Sequence, residues 1–338
     1  GTITIPIRAT QDSDVVIDII YCGLCHSDLH TARNEWHNST YPVVPGHEVI
    51  GVVAEVGAKV TKFKVGQTVG VGCMVNSCRT CHSCSVDHDE QYCGKAVMTY
   101  NVPDPVLTGH QTNGGYSERI TVTEDFVLSI SDKFTNLAAV APLLCAGITT
   151  YSPLKNNNVG PQHRVGINGL GGLGHMGVKF AKAFGAKTVV LTTSAHKVED
   201  AKKLGADEVI ISKNPEEIKA NAESFDFILD TVAADHDINA LLSMLKPRGR
   251  LIIVGAPENP LALATFAIIF RNRTIEGSLI GGVAQTQEML DFCAEKGIYS
   301  EIEMIKAEDV NIAYERMIKS DVKYRFVMDI AAWKKGKQ

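Results

Sequence analysis

The alternation of apolar and polar positions changes character about 144 residues into the chain. Upstream, short apolar runs are broken by glycine, proline and threonine. Residues 15–21 and 49–56 read as strands, and Gly57, Gly66, Gly70 and Gly72 as turns between strands. Downstream of Pro142, strand and helix patterns alternate. Strands are predicted over 163–168, 188–193, 208–212, 225–231, 250–255 and 274–280. Helices are predicted over 173–184 and 196–204, with a short one opened by Pro215. This rhythm predicts a parallel sheet with helices on both faces, following a mostly-β first domain. The tail from about residue 283 mixes a helix, 285–296, with a strand, 325–329, and its place in either domain stays open.

A length of 338 residues accommodates two domains with separate cores. The net charge of −5 argues against a general nucleic-acid binder, which carries a basic face. The longest apolar run, 261–270, ends at Arg271 and is too short to span a bilayer. No charged n-region and apolar h-region open the chain, so no secretory signal is expected; a start at Gly1 is compatible with processing or truncation. Nine cysteines, an odd number in a long chain, fit a reduced cytoplasmic enzyme better than a secreted disulfide scaffold.

Gly169, Gly171, Gly172, Leu173 and Gly174 belong to a GxGxxG loop between a predicted strand and a predicted helix. In that setting the glycines allow a tight turn, close approach of a pyrophosphate and close packing of helix on strand. The phosphates would sit at the positive end of the helix. The next strand ends at Thr192, Thr193 and Ser194, followed by His196 and Lys197, and no acidic residue occurs between Gly169 and Glu199. A dinucleotide with a free ribose 2′-hydroxyl usually meets Asp or Glu there. Hydroxyls and a cation instead favour a 2′-phosphate, and so NADP(H).

Cys78, Cys81, Cys84 and Cys93 are spaced to surround one Zn²⁺ with four thiolates, a closed and therefore structural set. Disulfides or scattered surface thiols are the bland alternatives. Nearby Cys73 reads as a core or loop cysteine. Upstream, Cys25 and His47 suit a catalytic zinc, which takes three protein ligands and keeps one position open. Cys145, at the expected junction of the two domains, is the candidate third ligand, although His47 or Cys145 as plain buried residues fits the spacing too.

Taken in order, Cys25-His-Ser-Asp-Leu-His30, Val44-Pro-Gly-His-Glu48, the cysteine cluster, Gly114-Gly-Tyr116, Pro142-Leu-Leu-Cys-Ala-Gly-Ile-Thr-Thr-Tyr151 and the glycine loop resemble the cinnamyl alcohol dehydrogenase group of zinc-dependent medium-chain dehydrogenases. Gly277–281 and Lys323-Tyr-Arg-Phe-Val327 extend the match over nearly the whole chain. The resemblance implies a GroES-like catalytic domain from 1–144 and 284–338 around a Rossmann nucleotide-binding domain, 145–283. It implies interconversion of primary alcohols and aldehydes by hydride transfer with NADP(H), with two zinc ions per chain. Cys25, His47 and Cys145 match the catalytic zinc ligands, and Glu48 the carboxylate beside them that can also reach the metal. Ser27 matches the hydroxyl that takes the substrate's proton, and His30 the far end of that relay. Thr193, Ser194 and Lys197 match the 2′-phosphate pocket, and Val254, Ser278 and Ile280 the rest of the cofactor site. The implied assembly is a homodimer built by sheet extension near 274–280, with a small-molecule substrate and neither nucleic acid nor membrane as partner.

Three departures bear on this picture. The last gap in the cysteine cluster is one residue longer than usual, which predicts a bulge. The opening strand region of the family is missing, which predicts an unpaired edge. Glu35 stands where plant members often have Asp, which argues against plant-like recognition of a phenolic alcohol. His26 reads either as a pyrophosphate contact or as a solvent-facing imidazole, and Trp36 as a pocket wall or ordinary packing. Competing functions are NAD dependence, a zinc-free quinone or enone reductase, or a nucleotide-binding protein without turnover. The last two would not need Cys25, His47, Cys145 and Ser27 together.

Overall fold

The computed structural model describes residues 1–336. The tail expected to run to 338 includes Lys337 and Gln338, which lie outside the described residues. The chain forms two compact units: Gly1–Ile148 with the chain from Gly281 onward, and Thr149–Ile280. Strands are numbered in chain order. The first unit holds β1 (Asp14–Leu24), β2 (Val49–Val56), β3 (Thr68–Val71), β4 (Met74–Asn76), β5 (Val97–Met98), β6 (Arg119–Thr123) and β7 (Leu128–Ser129). The second holds β8 (Arg164–Asn168), β9 (Lys187–Thr192), β10 (Glu208–Ile211), β11 (Phe225–Asp230), β12 (Leu245–Ile253) and β13 (Thr274–Gly277). The tail returns β14 (Ile302–Ile305) and β15 (Arg325–Asp329) to the first unit.

Seven strands make the sheet of the first unit, in the order β14-β15-β1-β2-β3-β7, with β6 also on β1. β1 serves as its spine. β2 pairs with it from Val15 to Cys22, β6 pairs with its first half, and β15 pairs with Tyr21–Leu24. The tail thus lies beside the strand that leads directly into Cys25. In β6, Ile120 and Val122 point into the core while their neighbours are half-buried, the period-2 pattern of a strand with one wet face. A short helix, His26–Arg33, follows β1.

The second unit is a six-stranded parallel sheet in the order β10-β9-β8-β11-β12-β13. Its strand order reverses between β8 and β11, the doubly wound arrangement. Val189, Leu191, Phe225, Ile228, Leu242 and Leu251 sit in its core. The helix Gly174–Ala183 packs on β8 and β9. Among the described residues, no helix is long and apolar enough to cross a membrane.

Several local expectations need correction. Gly70 is not a turn residue but lies within β3, where a Cβ would press on Ile130 and Leu144 at 3.2 Å; small size, not flexibility, is what this site needs. The helix expected over 196–204 is a 3-10 turn, Ala195–Lys197, followed by Val198–Lys203. The strand expected to reach 280 stops at Gly277, and Ile280 beyond it is left-handed, with φ +38°.

Candidate active site

β1 delivers Cys25 to the start of the helix His26–Arg33, where Asp28 ties the helix end down by accepting from the Cys25 backbone amide at 2.9 Å. The stretch before β2 delivers His47 and Glu48. A turn after Pro142 delivers Cys145. These four residues lie far apart in sequence, yet all are buried and their ligand atoms lie within 4.8 Å of one another. The Cys25 and Cys145 sulfurs are 3.9 Å apart. Sharing of one proton between the thiols, with Arg325 and His47 nearby, holds Cys25 well below the usual thiol range and pushes Cys145 up.

The electrostatics around this cluster come from residues that sequence reading passed over. Asp28 is fully buried, and its Oδ1 lies 3.2 Å from Nδ1 of His47. Burial works against the charged imidazole, but Asp28 raises the His47 pKa well above the usual range. The contact leaves Nε2 as the donor nitrogen. Arg325, buried on β15, forms an ion pair with Oε1 of Glu48. Burial pushes the Glu48 carboxyl up to about 7, against the pull of Arg325. Its other oxygen, Oε2, is buried without a hydrogen-bond partner and faces Gly23, where a Cβ would come within 2.0 Å of it. Two thiols, one imidazole and an orphaned carboxylate oxygen at one buried point form a donor set that fits zinc. Cys73, expected to be a core or loop cysteine, lies outside this donor set, and its sulfur is 3.8 Å from the Leu144 carbonyl oxygen. Tyr100 stacks on the His47 ring at 5.8 Å.

Ser27 and His30 share one face of the helix His26–Arg33, three residues apart. The Ser27 hydroxyl is 3.6 Å from the Cys25 sulfur. Nδ1 of His30 is paired with the Glu35 carboxylate, and Trp36 lies over the same ring at 5.0 Å. His26 is exposed, its ring 6.2 Å from that of His30.

The second cluster brings Cys78, Cys81, Cys84 and Cys93 within the same 4.8 Å limit. Sulfur pairs Cys81–Cys84 and Cys93–Cys78 each lie 3.5 Å apart. Backbone amides at Thr80 and Cys81 hold Cys78 down to about 5, favouring the thiolate a metal needs. The longer last gap is taken up by a left-handed His88, φ +58°, and a 3-10 turn, Glu90–Tyr92. Glu90 then accepts from the Val283 amide at 3.0 Å, capping the helix Val283–Lys296.

In the second unit Gly169 has φ +92°, and a Cβ on Gly174 would strike the Gly169 carbonyl at 2.1 Å. Gly171 is exposed, with open space where its Cβ would be, so the loop presents a cradle for a phosphate. Gly172 and Leu173 complete the turn into the helix. β9 ends at Thr192, leaving Thr193 exposed and Ser194 half-buried beyond it. Lys197 is half-buried and donates to the Leu170 carbonyl at 3.0 Å, within the glycine loop. Val254 donates to the Asp230 carbonyl, and Ser278 to that of Ile253. Ile280 is buried.

Residues 11–132 match the model of the alcohol dehydrogenase GroES-like domain, and residues 172–295 that of the zinc-binding dehydrogenases. The chain is 55% identical to the aldehyde reductase YahK of Escherichia coli, over 95% of this chain and 92% of that protein. A solved cinnamyl alcohol dehydrogenase from Sorghum bicolor superposes with a TM-score of 0.94 at 49% identity, over 97% of this chain and 93% of that one. A second, the Helicobacter pylori enzyme complexed with NADP(H), gives 0.90 at 44%, over 96% and 92%.

Proposed function

The chain belongs to the zinc-binding alcohol dehydrogenases with a GroES-like domain, and from that premise we propose that it is an NADP-dependent enzyme of the cinnamyl alcohol dehydrogenase type, interconverting primary alcohols and aldehydes. The observation that carries this reading is the meeting of Cys25, His47 and Cys145 at one buried point. We take the first unit as the catalytic domain and the second as the nucleotide-binding domain.

Cys25, His47 and Cys145 would hold the catalytic zinc, with Glu48 in reserve beside them, and the four-cysteine cluster a structural zinc. When bound, zinc supplies Lewis acidity at the substrate oxygen and the nicotinamide supplies or accepts the hydride. Ser27 takes the proton of the alcohol, or returns one to the aldehyde. His30 passes that proton to solvent, and Glu35, bound to its Nδ1, holds its ring in place. Asp28 fixes the His47 ring through Nδ1, so that Nε2 would be the nitrogen available to hold the metal. Arg325 keeps Glu48 drawn to one side while leaving one carboxylate oxygen free. Gly169, Gly171, Gly172, Leu173 and Gly174 cradle the pyrophosphate, while Thr193, Ser194 and Lys197 receive the 2′-phosphate. Val254, Ser278 and Ile280 line the remainder of the nucleotide site.

The proposal extends to a homodimer. β13 is one of the two edge strands of the six-stranded sheet, and Phe266, Ile269, Phe270 and Leu279 are exposed close to it in sequence. An apolar patch beside an unpaired edge is the surface a second copy would cover by strand pairing. Nine free cysteines support a reducing, cytoplasmic setting. Zinc content read alongside NADPH-dependent aldehyde reduction tests the function, and light scattering of a Phe270→Asp variant, expected to be monomeric, tests the assembly.

A further inference from the structure

One buried carboxylate lies outside both cysteine-containing clusters, where the six-stranded sheet reverses its order. Asp230 ends β11 and is fully buried. The Asn168 side chain, at the end of the neighbouring β8, donates to its Oδ1 at 2.8 Å, and the Val232 amide donates to the same oxygen at 3.2 Å. Its Oδ2 lies 2.7 Å from Nε2 of His236. The other ring nitrogen, Nδ1, lies 2.8 Å from the Ala234 carbonyl oxygen. The His236 ring therefore bridges the end of β11 and the turn that follows it, one nitrogen against each.

That turn occupies the crevice where open α/β sheets bind their ligands, outside the carboxyl ends of the strands at the reversal point. The Thr231 amide and hydroxyl both donate to the Asn168 carbonyl, at 3.0 and 2.7 Å. A Cβ on Gly169 would meet Val232 at 2.9 Å, and a Cβ on Gly255 would meet the Val232 backbone at 2.3 Å. Val232 is thus wedged between the glycine loop and the end of β12.

We propose that His236 is a positioning residue for the nicotinamide nucleotide: clamped between Asp230 and Ala234, it holds the 231–236 turn as a pre-formed wall of the nucleotide crevice. This inference rests on the nucleotide-binding reading given above. A buried carboxylate oxygen that loses its hydrogen-bond partner is costly, so without His236 the turn rearranges to reach water. The nucleotide must then order that turn on binding, which reduces affinity.

The test measures nucleotide dissociation constants by fluorescence, KM for the nucleotide, kcat at saturation, and the melting midpoint of the nucleotide-free enzyme. His236→Ala raises Kd and KM roughly tenfold while kcat at saturation stays within about threefold. His236→Gln, which keeps a donor to Asp230, recovers part of the affinity. Adding Asp230→Asn to His236→Ala also recovers part, because an amide is less costly than a carboxylate to leave buried without that partner. A change in Kd under about twofold in both single variants overturns the proposal. So does a loss of affinity that merely tracks the melting midpoint with no recovery by Gln. The measurements use whichever of NADPH and NADH the unaltered enzyme binds, so a wrong cofactor preference leaves this result readable. Binding of neither would overturn both readings.

Discussion

Oδ1 of Asp28 lies 3.2 Å from Nδ1 of His47, and the same carboxylate accepts from the amides of Cys25 and Gly46 and from the Tyr116 hydroxyl. One buried side chain thereby fixes the orientation of two proposed metal ligands. Asp28→Asn keeps the shape but removes the charge. It lowers zinc affinity at this site by about 10- to 100-fold, as loss of a partner behind a metal-bound histidine does elsewhere. Competition with a chromogenic chelator reads this directly, and unchanged affinity would remove Asp28 from the account.

Arg325 and Glu48 form an ion pair sealed inside the first unit. Removing one member leaves the other charged and unpaired. Arg325→Met costs about 3–5 kcal/mol of stability, and the double variant with Glu48→Gln loses less. Denaturant midpoints of the four proteins form the cycle. A cost under about 1 kcal/mol for Arg325→Met would mean that Glu48 does not depend on it.

The proposed proton path makes graded demands on Ser27 and Glu35. Ser27→Ala lowers kcat by about 10²-fold or more while NADPH binds as before, because the hydroxyl touches the reacting proton. Glu35→Gln acts only through His30 and lowers kcat several-fold at most. Near-normal turnover by Ser27→Ala would remove the relay.

The two metal clusters predict different losses. Cys145→Ala gives up about one zinc per chain and all turnover but keeps the fold. Cys93→Ser gives up the other zinc and lowers the melting midpoint, because its loop has little core of its own and caps the helix Val283–Lys296 through Glu90. Elemental analysis with thermal melting separates them; full metal retention by either variant contradicts its assignment.

What could be read from the chain beforehand was whatever short-range spacing carries. The glycine loop and the four clustered cysteines announce themselves within a few residues. Cys25, His47 and Cys145 were found because each sits in a distinctive local segment. Arg325 lies in a distinctive segment too, but its pairing is not legible there, since its partner Glu48 lies 277 positions away. The role of Asp28 is hidden for a related reason: of its four contacts, those with Gly46, His47 and Tyr116 exist only once the chain has folded. The strand Ile302–Ile305 escaped notice because it is half-buried along most of its length and shows no period-2 pattern. Asp230 and His236 lie only six residues apart, but their meaning depends on where β8 and β11 end.

The central claim is zinc-dependent aldehyde reduction with NADPH. Initial rates with cinnamaldehyde and benzaldehyde, with NADPH and with NADH, before and after removal of zinc by a chelator, test it most directly. The account predicts turnover that favours NADPH, disappears with the catalytic zinc and returns when zinc is restored. Turnover that survives complete removal of zinc, or that uses NADH alone, would contradict it.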